Sequence, residues 1–133
     1  MKISGSILDL NSKEQIDNLN NTQIDFIHLD IMDGLFVVNK TKKIDEYKYL
    51  LKDINKSLEI HLMVKDVKSY IDSYKVFNPK YIIFHYEAVN DCNEIINYIK
   101  NLDIKVGISI NPKTDIDVLI PYLDKIDLVL IMS

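Results

Sequence analysis

Short apolar, β-branched runs alternate along the chain with longer amphipathic ones. Residues 2–8, 25–31, 58–64, 81–85, 105–110 and 126–132 are rich in Ile, Val, Phe or Tyr, which predicts strands. Between them, residues 12–21, 44–55, 67–77, 92–102 and 115–123 carry helical spacing. In the fourth of these, Ile95, Ile96, Ile99 and Leu102 fall on one face. Ser12 with Gln15 forms a capping-box signature, and Asp66 and Asp91 stand where they can cap the next helices.

Strand, helix, strand with short connections predicts parallel βαβ units. Several strands are nearly continuous apolar runs, as expected where both faces of a sheet are covered. This pattern suits a (β/α) barrel or a doubly wound open sheet, and no linker or low-complexity tract divides it. The whole of residues 1–133 is expected to be a single domain. The pattern of about six parallel strands and five helices ends one residue after the last strand candidate, so it is expected to stop mid-unit. A six-stranded open sheet with a terminal last strand is the alternative.

Polar residues interrupt the strands in register. Side chains alternate faces along a strand, so His28, Asp30 and Met32 share one face, His61 and Met63 another, and His85 and Glu87 a third. All three histidines of the chain therefore lie late in three successive strands. In parallel α/β folds the carboxyl ends of the strands form the active face. Two imidazoles and a carboxylate suit Zn²⁺, Fe²⁺, Mn²⁺ or Co²⁺, and a buried Asp needs a partner to offset its desolvation. Taken singly, each histidine reads first as a hydrogen-bonded core residue; three in register beside a buried Asp favour that reading less. Asp33-Gly34 and Asn111-Pro112 read as turns.

Composition removes other classes. Acidic and basic residues are interspersed to a net charge of −4, with no basic stripe for nucleic acid. The single cysteine, Cys92, allows no internal disulfide and fits a cytoplasmic location. Residues 1–10 are too polar for a signal peptide, and no run is long enough to span a bilayer. There is no Gly-rich nucleotide loop, and Ser6 has no triad partners.

The string His28-Leu29-Asp30-Ile31-Met32-Asp33-Gly34-Leu35-Phe36, continuing to Asn39, resembles the signature of ribulose-phosphate 3-epimerases. His61-Leu62-Met63-Val64 resembles a second signature, His85-Tyr86-Glu87-Ala88 the fourth strand, and residues 128–133 the sixth. Leu35 and Val38 stand where that family usually has His and Pro, and residues 40–46 lack its usual loop sequence.

The resemblance implies a TIM (β/α)8-barrel, here a truncated barrel of about six parallel strands and five helices, and metal-dependent interconversion of D-ribulose 5-phosphate and D-xylulose 5-phosphate. It implies His28, Asp30 and His61 as metal ligands for one divalent ion (Zn, Fe, Mn or Co). Asp30 is implied as an acid/base, and Ser6, His61, Met32, Met63 and Met132 as substrate contacts. The family's second acid/base Asp and its phosphate-binding loops have no counterpart in 133 residues, so the chain alone is expected to be inactive. The expected partner is a small phosphorylated ketose, with no nucleic acid or membrane, and a homo-oligomer is compatible. Two alternatives are a ketohexose-phosphate (allulose 6-phosphate) 3-epimerase and a non-catalytic barrel fragment or assembly subunit with exposed strand edges.

Overall fold

A computed structural model describes residues 1–8 and 11–132. Asp9, Leu10 and Ser133, which entered the readings of the first and last segments, lie outside the described residues. The chain runs β1 (Ser4–Ser6), α1 (Lys13–Asn20), β2 (Phe26–Met32), α2 (Ile44–Leu51), β3 (Ser57–Met63) and α3 (Val67–Tyr74). It continues with β4 (Tyr81–His85), α4 (Cys92–Lys100), β5 (Lys105–Ile110) and β6 (Leu128–Ile131). Short 3₁₀ turns cover Lys75–Phe77 and Tyr86–Ala88, and a longer one covers Ile116–Tyr122. No described helix is long and apolar enough to cross a membrane.

All six strands are parallel, in the order β1-β2-β3-β4-β5-β6. A doubly wound sheet reverses its strand order at a switch point, and this one never does. Every crossover steps the same way. Because such crossovers are right-handed, the helices collect on one side of the sheet and leave the other as the inner wall of a half-barrel. Strand alternation then sorts the side chains. Ile27, Leu29 and Ile31 of β2, Leu58, Ile60 and Leu62 of β3, Ile82 and Phe84 of β4, and Val106 and Ile108 of β5 belong to the core packed with the helices. The residues between them face inward.

Local signals fix the helix ends. The Ser12 hydroxyl accepts from the Gln15 amide while the Gln15 side chain accepts from the Ser12 amide, the reciprocal box that the sequence predicts. Asp66 accepts from the Ser69 amide, and Asp91 from those of Asn93 and Glu94. The predicted helix at 115–123 is a 3₁₀ segment instead. Pro121 lies inside it, and a proline there has no N–H for an α-helical bond and crowds the carbonyl four residues back. The helix predicted over 67–77 turns to 3₁₀ after Tyr74 and stops at Asn78, whose φ of 48° is left-handed.

The strand predictions shift by a residue or two at their ends. Asp25, expected to begin the second strand, acts as a clasp: its carboxylate accepts from the Ile3 amide at 2.9 Å and the Lys2 ammonium at 2.7 Å. Gly107 is required by the inner wall. A Cβ there would lie 2.8 Å from Ile83 Cγ1 and 3.1 Å from Leu128 Cδ2.

Candidate metal centre

Register brings the polar inner residues together. His28 lies opposite Glu59, Asp30 opposite His61, and Met32 opposite Met63 on β2 and β3. Ser6 lies opposite His28 on β1. The β2 and β3 runs each carry period-2 alternation, so a parallel pairing with this register stacks both polar sets on one face.

His28, Asp30 and His61 offer ligand atoms that all lie within 4.8 Å of one another. Asp30 Oδ1 is 2.9 Å from His61 Nδ1 and 3.3 Å from His28 Nε2. Its other oxygen, Oδ2, accepts a hydrogen bond from the Ser6 hydroxyl at 3.1 Å. His61 is 1% exposed, while the Asp30 side chain retains 18%, so the cluster opens to solvent on the carboxylate side. Two imidazole nitrogens and one carboxylate oxygen at this spacing fit a divalent cation of the zinc, iron, manganese or cobalt type.

Burial alone would raise the Asp30 pKa, but hydrogen bonds from His28 and His61 outweigh it and hold the carboxyl well below the usual range. Burial likewise pulls His28 down, and the carboxylates of Asp30 and Glu59 overcome it, leaving its pKa raised.

The cluster extends in both directions. Glu59, 7% exposed on the inner face, lies 3.3 Å from His28 Nδ1 and accepts from the Ser4 hydroxyl at 2.8 Å. On the other side, His61 Nε2 meets His85 Nε2 at 3.0 Å, with the rings 25° from parallel. His85 Nδ1 in turn lies 3.4 Å from Glu87 Oε2. Burial, together with the His61 ring, drives the His85 pKa down to about 4 despite Glu87, so this imidazole is neutral at pH 7.

Two turns secure this arrangement. Asp33 Oδ1 accepts from the Leu35 and Phe36 amides and its Oδ2 from the Lys65 amide, with Gly34 at φ 77° between. The loop so held lays the Phe36 ring 4.9 Å from that of His85. Glu87 Oε1 accepts from the Asn111 amide at 2.8 Å and from the Thr114 hydroxyl, tying the end of β4 to the loop after β5.

Of the residues singled out in the sequence, His28, Asp30, His61 and Ser6 meet directly. Met32 and Met63 pair one inner-face step beyond them, toward the carboxyl ends of the strands. Met132 follows β6 at the opposite edge of the sheet, its amide bonded to the Ile110 carbonyl. Glu59 was missed. Its signal was present, since it shares the parity of His61 two residues away. His85 and Glu87 were seen to share a face, but their link to His61 depends on a register that no single strand reveals.

The sequence model described as "Ribulose-phosphate 3 epimerase family" matches residues 2–133. The ribulose-phosphate 3-epimerase of Methanocaldococcus jannaschii is 35% identical over 136 residues, covering 100% of this chain and 57% of that protein. That of Schizosaccharomyces pombe is 31% identical, covering 99% of this chain and 60% of its own length. That of Buchnera aphidicola subsp. Baizongia pistaciae is 34% identical, with shares of 98% and 60%. The chain thus spans about three-fifths of the length of these relatives.

Proposed function

The chain belongs to the ribulose-phosphate 3-epimerase family, and on that premise we propose that it supplies the metal-binding part of an active site that interconverts D-ribulose 5-phosphate and D-xylulose 5-phosphate. The observation that carries the reading is the convergence of His28, Asp30 and His61 within 4.8 Å on the inner face of the half-barrel. Inversion at C3 requires loss of a proton next to a carbonyl, a planar enediolate, and return of a proton to the opposite face.

Asp30 is the group that handles the proton on one face. It is ionised, because its two imidazole neighbours hold its pKa below the usual carboxylate range. A carboxylate so held is a weak base, and the C3 proton must be made more acidic to match it. A divalent cation bound to His28, Asp30 and His61 would supply Lewis-acid stabilisation of the charge that builds on the substrate oxygens. The Ser6 hydroxyl, 3.1 Å from Asp30 Oδ2, orients that carboxylate and lies ready to contact the sugar. Met32 and Met63, one step nearer the strand ends, form an apolar wall that keeps water from the reacting carbons. Met132, at the opposite edge of the sheet, is assigned as a further substrate contact. Carbohydrate metabolism in the cytoplasm, through the pentose phosphate pathway, follows from this substrate.

The test is wash-in of deuterium at C3. The native protein that contains these 133 residues, incubated with D-ribulose 5-phosphate in D₂O, should form xylulose 5-phosphate labelled at C3. Chelation should stop the exchange, and Zn²⁺, Fe²⁺, Mn²⁺ or Co²⁺ should restore it. Absence of label with every one of these ions overturns the reading.

A further inference from the structure

Six groups stand in line across the inner face: Glu59, His28, Asp30, His61, His85 and Glu87. Five contacts join them, at 3.3, 3.3, 2.9, 3.0 and 3.4 Å. Each contact sets two lone-pair atoms against each other unless a ring N–H lies between them. Ionised carboxylates bring no proton, and three imidazoles in the neutral form that a metal ligand requires bring one each. Five contacts therefore share three protons, and two contacts go without.

A cation between His28 Nε2, Asp30 Oδ1 and His61 Nδ1 removes both deficits at once, because the two contacts that meet at Asp30 Oδ1 are the ones it replaces. The three protons then have a single arrangement. His28 Nδ1–H donates to Glu59, His61 Nε2–H donates to His85 Nε2, and His85 Nδ1–H donates to Glu87.

We infer that Glu59 and the His85–Glu87 pair are positioning residues, which keep the ring protons of His28 and His61 on the side away from Asp30 and so present bare nitrogens to a divalent cation. This rests on the metal reading above. The acceptors at both ends are themselves pinned: Glu59 Oε2 by the Ser4 hydroxyl, and Glu87 Oε1 by the Asn111 amide and the Thr114 hydroxyl. His85 is 1% exposed under the Phe36 ring, so water does not compete for its nitrogens. A histidine ligand whose second N–H is held by an outer partner has its tautomer and ring angle fixed.

Glu87→Gln separates this role from packing. The carbonyl oxygen of the new side chain keeps the bonds to Asn111 and Thr114. Its NH₂ then faces His85 Nδ1, where a donor is wrong: His85 must place its proton on Nε2, and His61 must accept it there and carry its own on Nδ1, against the metal. In the native protein with Zn²⁺ alone, long-range ¹H–¹⁵N correlation spectra should show protons on His61 Nε2 and His85 Nδ1. Glu87→Gln should weaken Zn²⁺ binding by roughly tenfold or more with its melting transition retained. A Zn²⁺-bound protein with the His85 proton on Nε2, or a Glu87→Gln variant that binds Zn²⁺ as tightly as the parent, overturns the relay. His61→Asn distinguishes the two levels. Lost Zn²⁺ binding in that variant, beside unchanged binding in Glu87→Gln, overturns the relay and keeps the metal centre. Unchanged binding in His61→Asn overturns both.

Discussion

Two sets of side chains share strand β2 and meet opposite surroundings. Ile27, Leu29 and Ile31 are at most 1% exposed and pack with the helices, while His28, Asp30 and Met32 point inward and stay partly open. The same division runs through β3, where Leu58, Ile60 and Leu62 oppose Glu59, His61 and Met63. The outer face is held by non-directional apolar burial, which rewards volume and tolerates any residue of the right shape. The inner face is held by directional contacts among ionisable groups, each of which depends on where a neighbour keeps its proton. One face is apolar packing and the other a run of ionisable groups, on backbone that is common to both.

That division breaks most visibly if an outer residue is cut back. Ile82→Ala, at a site with 0% exposure, should cost about 2–5 kcal/mol of stability. Urea denaturation measures the loss, and Zn²⁺ affinity of the folded variant should match the parent. A large affinity change with little stability loss would contradict the separation of the two faces.

A smaller effect comes from adding volume to the inner wall. In Gly107→Ala the new Cβ meets Ile83 Cγ1 at 2.8 Å, and overpacking of this kind costs about 1–3 kcal/mol. Thermal melting that is unchanged would show that the inner wall is looser than the outer core.

Acidity sharpens the contrast further. In metal-free protein, His85 is held to about 4 against 6.5 for the free side chain. The unfolded chain therefore takes up a proton between pH 6.5 and 4 that the folded chain refuses, and stability falls across that window on acidification. Asp30, lowered from 3.8, adds stability above that value and loses it as pH drops further. His28 acts in the other direction: its pKa is raised, so its contribution is full below 6.5 and is lost as pH rises from there through its folded value. Below pH 6.5 the His28 contribution is constant, so His85 sets the sign there. Urea midpoints in chelator should fall from pH 7 to 4. Ile82→Ala should lower that curve without changing its shape, because the described core residues packed with it include no group that titrates between pH 7 and 4.

The outer face was legible in the sequence almost in full, because period-2 and period-3.6 burial leave their mark on every residue they touch. The caps at Ser12, Asp66 and Asp91 were legible for the same reason, being local. The inner face was legible only within each strand. His28 with Asp30, and His85 with Glu87, could be paired by alternation, but Glu59 with His28 and His61 with His85 are neighbours through strand register, which short sequence windows do not encode. The 3₁₀ segment at Ile116–Tyr122 escaped because its apolar spacing reads as an α-helix, and Pro121 overrides that spacing through the backbone.

The metal centre itself is tested most directly by Asp30→Asn. The substitution keeps the size of the side chain and its reach toward Ser6, and removes the charged oxygen that stands between the two imidazoles. Calorimetric titration of the metal-free native protein with Zn²⁺ should show one tight site in the parent. Binding in Asp30→Asn should be weaker by more than the roughly 10–100-fold that losing an outer partner of a metal ligand costs. Equal affinity in the two proteins would contradict a metal centre built on His28, Asp30 and His61.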